Sequence, residues 1–467
     1  MPIDRLRKCT RYFILLLAAC LPISAVHAVT PVAEVFEFEH RNQLILDIEA
    51  ALAQAQASQG IIPQWAADEI TAKAQLQYLP ADELAVEYRK VQHRMVALLN
   101  VWTSYMEHGA GEYVHFGTTT VDVYDNALVL QLRQATRFLI TDMQLIEDSL
   151  IALARAHRDT VMMGRTLGQH ALPITFGKKV SGWLGENRRN IERLKTVAHQ
   201  LDQSGILKGA VGSYLGLGDK ALETEQLFVA QLGLTTAYPD DWHGARDVLA
   251  DYALTLALIS KAMGRIGNEL FLLQMTDIGE TQEVLPDSVV GSSTMPHKKN
   301  PKKPDALVYY SRTIPRLAEV VLDDVINSFE RDSTSRSAGV LAEISIEAER
   351  MLKTADALLS GLQVNAAVMT ANLSKTQGLI LSQRVTFALA EHIGKTTANS
   401  LMHEVAQAAI VEGTSLGVAL RSRPDITRYF GPGELDRLLE PTTYTGLDGE
   451  LVDRVISWCL ELRKSDP

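Results

Sequence analysis

Gly291-Ser292-Ser293-Thr294-Met295-Pro296-His297-Lys298-Lys299-Asn300-Pro301 gathers a glycine, two serines, two lysines and an asparagine in one loop between helix-forming stretches. Gly291 lets the backbone swing, Ser292 and Ser293 offer hydroxyls, and Lys298 with Asn300 supplies a positive charge and an amide. Such groups can hold a small carboxylate while a neighbouring proton is removed. The same residue types also make an ordinary solvated turn before a helix that starts near Pro301. Composition alone leaves both readings open.

Outward from this loop the chain reads as helix. Residues 118–163 contain neither Gly nor Pro, and Leu128, Leu132, Ala135, Leu139, Met143, Ile146, Leu150 and Leu153 recur at three- and four-residue steps. That spacing predicts one helix of about 60 Å or more, long enough to run the length of a bundle. Further helical windows cover 180–203, 245–278 and 307–359, with scattered glycines suited to close helix contacts. A shorter one at 44–58 stops at Gly60 with Pro63 just beyond. Strand-like alternation is nearly absent, and no internal repeat points to a solenoid. At 467 residues the chain exceeds what one core supports. Turn-rich breaks near 108–117 and 360–365 suggest an N-terminal helical domain at 29–112, a central long-helix bundle at 113–361 and a C-terminal helical domain at 362–467.

Lys plus Arg number 45 against 56 Asp plus Glu, a formal charge of −11, which argues against a nucleic-acid partner held by phosphate contacts. Arg5, Arg7, Lys8 and Arg11 precede an apolar run at 12–19, and Val26-His27-Ala28 offers small residues where a signal peptidase cuts. Residues 1–28 are therefore expected to be removed on export, leaving the mature chain in the periplasm. Leu17-Ala18-Ala19-Cys20 also resembles a lipoprotein processing site, which would anchor the chain through Cys20. Cleavage after Ala28 leaves Cys459 alone, so no internal disulfide can form. The apolar run is too short to span a bilayer, and no later segment reaches the roughly 20 apolar residues required.

Taken in order, the residues of the opening loop resemble the signature segment of the fumarase/aspartase superfamily, Gly-Ser-Ser-x-Met-Pro-x-Lys-x-Asn-Pro, with every fixed position matched. The resemblance implies that Ser292 is the catalytic base and that Lys298 and Asn300 bind a substrate carboxylate. Ser293 and Met295 are further candidate contacts. It also implies an all-α fold of three helical domains around a long-helix bundle, and a homotetramer in which each active site draws on three chains. No cofactor and no metal are expected.

Two more segments concentrate polar groups. His115-Phe116-Gly117-Thr118-Thr119-Thr120-Val121-Asp122 sets an imidazole and three hydroxyls before the long helix, where anion binding and simple capping are both open. It resembles the first conserved block of adenylosuccinate lyases, His-x-Gly-x-Thr-Ser-x-Asp, with Thr120 for serine. That likeness implies His115, Thr119 and Thr120 as substrate-site residues. Gly164-Arg165-Thr166-Leu167-Gly168-Gln169-His170-Ala171-Leu172-Pro173 resembles the second block and adds Thr166 and Gln169. Adenylosuccinate lyases carry a proton-transferring histidine where this chain has Leu167; the related 3-carboxy-cis,cis-muconate cycloisomerases also hold a non-titrating residue there. His170 could replace the missing histidine or serve a structural hydrogen bond.

Gly209-Ala210-Val211-Gly212 looks like a third site-lining block. Glu280 is expected to orient an imidazole, and Arg246 is a supporting candidate. Residues 46–53, 60–63 and 439–446 look like the cycloisomerase branch. Residues 329–333 look like adenylosuccinate lyases, but Ser335 and Arg336 sit at altered spacing, so no phosphate-binding role is carried over.

The resemblance implies removal of a carbon-bound proton beside a carboxylate, followed by β-elimination. The expected activity is a carbon–nitrogen or carbon–oxygen lyase that releases fumarate from a small succinyl-type substrate. The alternatives are lactonisation of a carboxymuconate, an adenylosuccinate lyase-like activity, or a non-catalytic secreted homologue. The loop at 279–291 is expected to close over the substrate.

Overall fold

The computed structural model describes residues 30–236, 238–286, 289, 291–331 and 337–466. The expected signal peptide, its Cys20 alternative, Ser335 and Arg336, and positions 287, 288 and 290 of the closing loop lie outside the described residues.

The helices ahead of the first motif include α1 (Phe38–Ser58), α2 (Ala81–Val91) and α3 (Arg94–Thr103). α1 is buried from Asn42 to Gln56 on several faces, because its alanines let neighbouring helices approach closely. It ends where Gly60 turns the chain in the left-handed region at φ +69°.

α4 (Thr120–Ala156) has 37 residues, about 55 Å at the α-helical rise. Leu128, Leu132, Ala135, Leu139, Met143, Ile146 and Leu150 are all buried, as their spacing demands. The helix is shorter than the 118–163 window because Val161, Met162 and Met163 leave it for a strand. β1 (Val161–Thr166) pairs antiparallel with β2 (Gln169–Thr175). Thr166 faces Gln169 across a two-residue turn in which Leu167 has φ +53° and Gly168 φ +77°. Two successive positive φ values give a turn whose twist matches the strands, a turn that normally takes Asn-Gly.

α5 (Phe176–Asp202), α6 (Asp247–Leu273), α7 (Lys302–Asp323) and α8 (Ala338–Leu359) pack with α4 into the central bundle. Two glycines set the closeness of α6 and α7. A Cβ at Gly264 would lie 2.2 Å from the Ser311 Cβ, and one at Gly267 2.7 Å from the Leu307 Cβ. The 307–359 window is two helices, not one. Helix α7 stops at Asp323 before a polar stretch whose Asn327 donates to the Gly244 carbonyl, so a side chain competes with continued helix.

A second small sheet joins β3 (Thr281–Gln282) to β4 (Gln363–Val364). Beyond it, α9 (Ser382–Ile393) and α10 (Lys395–Glu412) enclose their own core with Val385, Leu389, Met402, Val405, Leu416 and Leu420. The last helix, α11 (Asp448–Arg463), returns to the main bundle: Val452, Ile456 and Cys459 belong to the main core and lie against α5. The Asp448 carboxylate accepts the Thr175 N–H at 2.7 Å and fastens this return. Cys459 is buried, which pushes its thiol up to about 12. Among the described residues no helix is long and apolar enough to cross a membrane.

Candidate active site

The start of α4 is organised by one buried carboxylate. Asp122 accepts the Thr118 hydroxyl at 2.9 Å and the Thr119 N–H at 3.0 Å, which sets the turn that presents Thr119 and Thr120. It also accepts the N–H groups of Lys208 and Gly209, at 2.8 and 3.1 Å, tying the 209–212 segment to the same turn. Among the described residues the Thr120 hydroxyl is engaged by no hydrogen bond.

His115 sits beside this turn in the left-handed region, at φ +59°. Its Nδ1 is 2.6 Å from Oε1 of the buried Glu49, and its N–H donates to Oε2 of the same carboxylate at 3.1 Å. Burial opposes a charged ring, but the Glu49 bond and the fields of Glu49 and Asp122 outweigh it and raise the His115 pKa. With Nδ1 committed to Glu49, Nε2 is left without a hydrogen bond among the described residues.

Behind the turn lies a network that motif reading only touched. The imidazole of His243 has Nε2 at 3.1 Å from Asp122 and Nδ1 at 2.5 Å from Asp125. Arg246, the candidate supporting cation, donates to Asp125 at 2.9 Å and so joins this network. Burial disfavours charge on His243, but two carboxylate bonds push its pKa up to about 9. Sequence reasoning missed His243, Asp125 and Glu49. The available signal was the pair of acids at 122 and 125, three residues apart and so on one helix face.

At the opposite end of the bundle the hairpin tip exposes Thr166, Leu167, Gly168 and Gln169. Glu280, expected to orient an imidazole, takes both guanidinium arms of Arg165 at 2.7 and 2.9 Å, and the Asn372 amide at 2.7 Å. β1 places Arg165 directly over the buried acid, and the field of Glu280 also reaches the imidazole of His170. His170 pairs with Arg165 across the hairpin, its Nδ1 is buried without a hydrogen bond, and burial, helped by Arg165, lowers its pKa.

The signature loop lies at this second end. The Ser292 hydroxyl oxygen accepts the Met295 N–H at 3.2 Å, and the Asn300 amide donates to the Gly291 carbonyl at 3.1 Å, so the loop is drawn into a ring. Ser293, Met295 and Lys298 are exposed, and Lys298 has no acidic partner among the described residues. The loop is hung on Gln274, whose amide reaches the Lys299 carbonyl at 3.4 Å.

Gln274 caps the end of α6, whereas Arg246 and His243 flank its start. The 27 residues between put the Ser292 end about 40 Å from the His115 end. One chain thus places the candidate residues in two groups, each a candidate half-site: His115, Thr119, Thr120 and Arg246 at one end, and Thr166, Gln169, His170, Glu280, Ser292, Ser293, Met295, Lys298 and Asn300 at the other. Among the described residues no cluster of His, Cys, Asp and Glu could hold a metal ion.

Known proteins match this arrangement along most of the chain. The Lyase family matches residues 26–315, and the adenylosuccinate lyase C-terminus matches residues 378–455. N-acetyl-S-(2-succino)cysteine lyase of Dickeya dadantii is 36% identical over 91% of this chain and 93% of its own. Adenylosuccinate lyase of Methanocaldococcus jannaschii is 34% identical over 93% of this chain and 95% of its own. The crystal structure of 3-carboxy-cis,cis-muconate lactonizing enzyme from Pseudomonas putida superposes with a TM-score of 0.85 at 33% identity, covering 92% of this chain and 97% of that one. With its helical bundle, its three polar blocks and these likenesses, the chain belongs to the fumarase/aspartase superfamily, in the branch of adenylosuccinate lyases and 3-carboxy-cis,cis-muconate cycloisomerases.

Proposed function

We propose that this enzyme is a lyase that eliminates a leaving group from a small succinyl adduct and releases fumarate. The observation that carries this reading is His115, whose pKa the Glu49 bond helps raise against burial and whose Nε2 has no hydrogen bond among the described residues, beside the free hydroxyl of Thr120. A succinyl adduct has a CH2 next to one carboxylate and, next to the other, the carbon that bears the leaving atom. Ser292, as its alkoxide, takes a proton from the CH2. The electron pair becomes the new carbon–carbon double bond as the bond to the leaving atom breaks, and His115 hands that atom its Nε2 proton. The products are fumarate and a neutral amine, alcohol or thiol.

Lys298 and Asn300 bind the carboxylate whose charge grows in the transition state, and the Met295 N–H supports the Ser292 oxygen. The Asn300 amide is held by the Gly291 carbonyl, so carboxylate binding requires the loop to rearrange, in keeping with closure over the substrate. Completion of the site by assembly into a homotetramer is supported by the separation of the two half-sites within one chain. Action outside the cytoplasm rests on the sequence of residues 1–28. The relative that acts on a succinylated cysteine supports sulfur as a leaving atom alongside nitrogen and oxygen.

Absorbance of fumarate in the ultraviolet tests the proposal. The purified protein is incubated with N-, O- and S-substituted succinates, N-acetyl-S-(2-succino)cysteine among them. Release of fumarate by the wild type, abolished in Ser292→Ala with helical circular dichroism unchanged, is the expected result. Failure across the whole panel, or full activity in Ser292→Ala, rejects it. A second reading, lactonisation of a carboxymuconate, is favoured by the non-titrating Leu167 and by the lactonizing-enzyme likeness. Consumption of carboxymuconate without fumarate would select it.

A further inference from the structure

Two cavities of about 400 and 510 Å³ open on either side of Arg41, Arg94 and Tyr124, which line both. The Arg41 guanidinium lies 4.7 Å from the centre of the Tyr124 ring. Among the described residues neither arginine has an acidic partner or a side-chain hydrogen bond. Among the described residues the single carboxylate lining either cavity, Asp125, is committed to His243 at 2.5 Å and Arg246 at 2.9 Å. Burial pushes the Arg41 pKa down, and so does the neighbouring charge of Arg94, another cation. Two guanidiniums that converge on a pocket without a counter-ion carry a desolvation cost that a bound anion removes, and their planar forks match a carboxylate. On one side of them the wall is apolar, with Ile45, Leu84, Ala85 and Leu98.

The cluster lies close to the first half-site. Tyr124 is one helical turn from Thr120, about 6 Å, and Arg41 is eight residues before Glu49 on α1, about 12 Å. Arginine side chains cover part of that distance, and a leaving group the size of an amino acid covers the rest.

We propose that Arg41 and Arg94 form a subsite for a carboxylate on the leaving group, with its small apolar substituent against Leu84 and Leu98. The inference rests on the elimination reading and narrows it to adducts whose leaving group is itself an acid, such as an acylated amino acid. An anion bound there independently of the substrate is the competing source of the same chemistry.

Binding of N-acetylcysteine and of its carboxamide is measured by calorimetry on the wild type, on Arg41→Gln and on Arg94→Gln, with Arg41→Lys as the charge-keeping control. The acid is expected to bind at least tenfold more tightly than the amide to the wild type. That preference should fall to near unity in either Gln variant and return in part with Lys. In turnover, each Gln variant should raise KM for the acid adduct towards that of the amide adduct. Equal wild-type affinity for acid and amide overturns the subsite without any variant being needed. So does a preference that survives both Gln changes, or acid binding that does not compete with the succinyl adduct. If the preference holds but no adduct yields fumarate, Arg41 and Arg94 form an anion site only, and the leaving-group role falls with the elimination reading. If acid and amide adducts turn over with equal kcat/KM, elimination stands and the subsite falls.

Discussion

His243 has a carboxylate oxygen within reach of each ring nitrogen, so both nitrogens must donate and the ring must carry a proton. Its pKa rises from an ordinary value near 6.5 to about 9. A raised pKa makes its contribution to stability complete below about 6.5, and that contribution is lost as pH climbs through about 9. The shift corresponds to something on the order of 3 kcal/mol. In His243→Gln, urea unfolding at pH 6 should show a loss of that order relative to wild type, shrinking by pH 9.5. A difference that stays constant with pH would mean the ring acts by shape alone. Motif order named His115 and Ser292, but not the partners that give them their state. Glu49 is 66 residues from His115, and His243 is 121 and 118 residues from its two acids. Separation along a chain carries no distance until the helices are packed.

The β1–β2 hairpin shows where periodicity stops being informative. Val161, Met162 and Met163 continue an apolar pattern that suits either helix or strand, and only pairing with residues 173–175 decides between them. The polar break after Asp323 went unseen for the opposite reason, since residues 324–337 hold no proline to force a stop. The long helix and the glycines at the α6–α7 contact were legible because spacing and the absence of a side chain act locally. At the hairpin tip, Leu167 holds a left-handed conformation while fully exposed, at a cost of about 1 kcal/mol that this chain alone does not recover. Leu167→Gly should therefore raise the thermal midpoint slightly while impairing turnover if the leucine meets substrate in the assembled enzyme. A lower midpoint would show that the leucine is supported by packing in the oligomer.

At the scale of the whole molecule, the two groups of candidate residues lie about 40 Å apart in one chain, so the proposed activity depends on assembly. Ser292→Ala and His115→Ala chains, each inactive alone, should regain fumarate release when co-refolded as mixed oligomers. Sedimentation would confirm that both variants assemble, and a mixture as inactive as its parts would reject a site shared between chains in this way. The returning helix α11 has a separate consequence. Among the described residues Cys459 is the sole thiol, and it is sealed between α11 and α5. A sulfhydryl dye can then label this residue only at moments when the tail peels away, so the colour it develops there is a clock for fraying at the C-terminus.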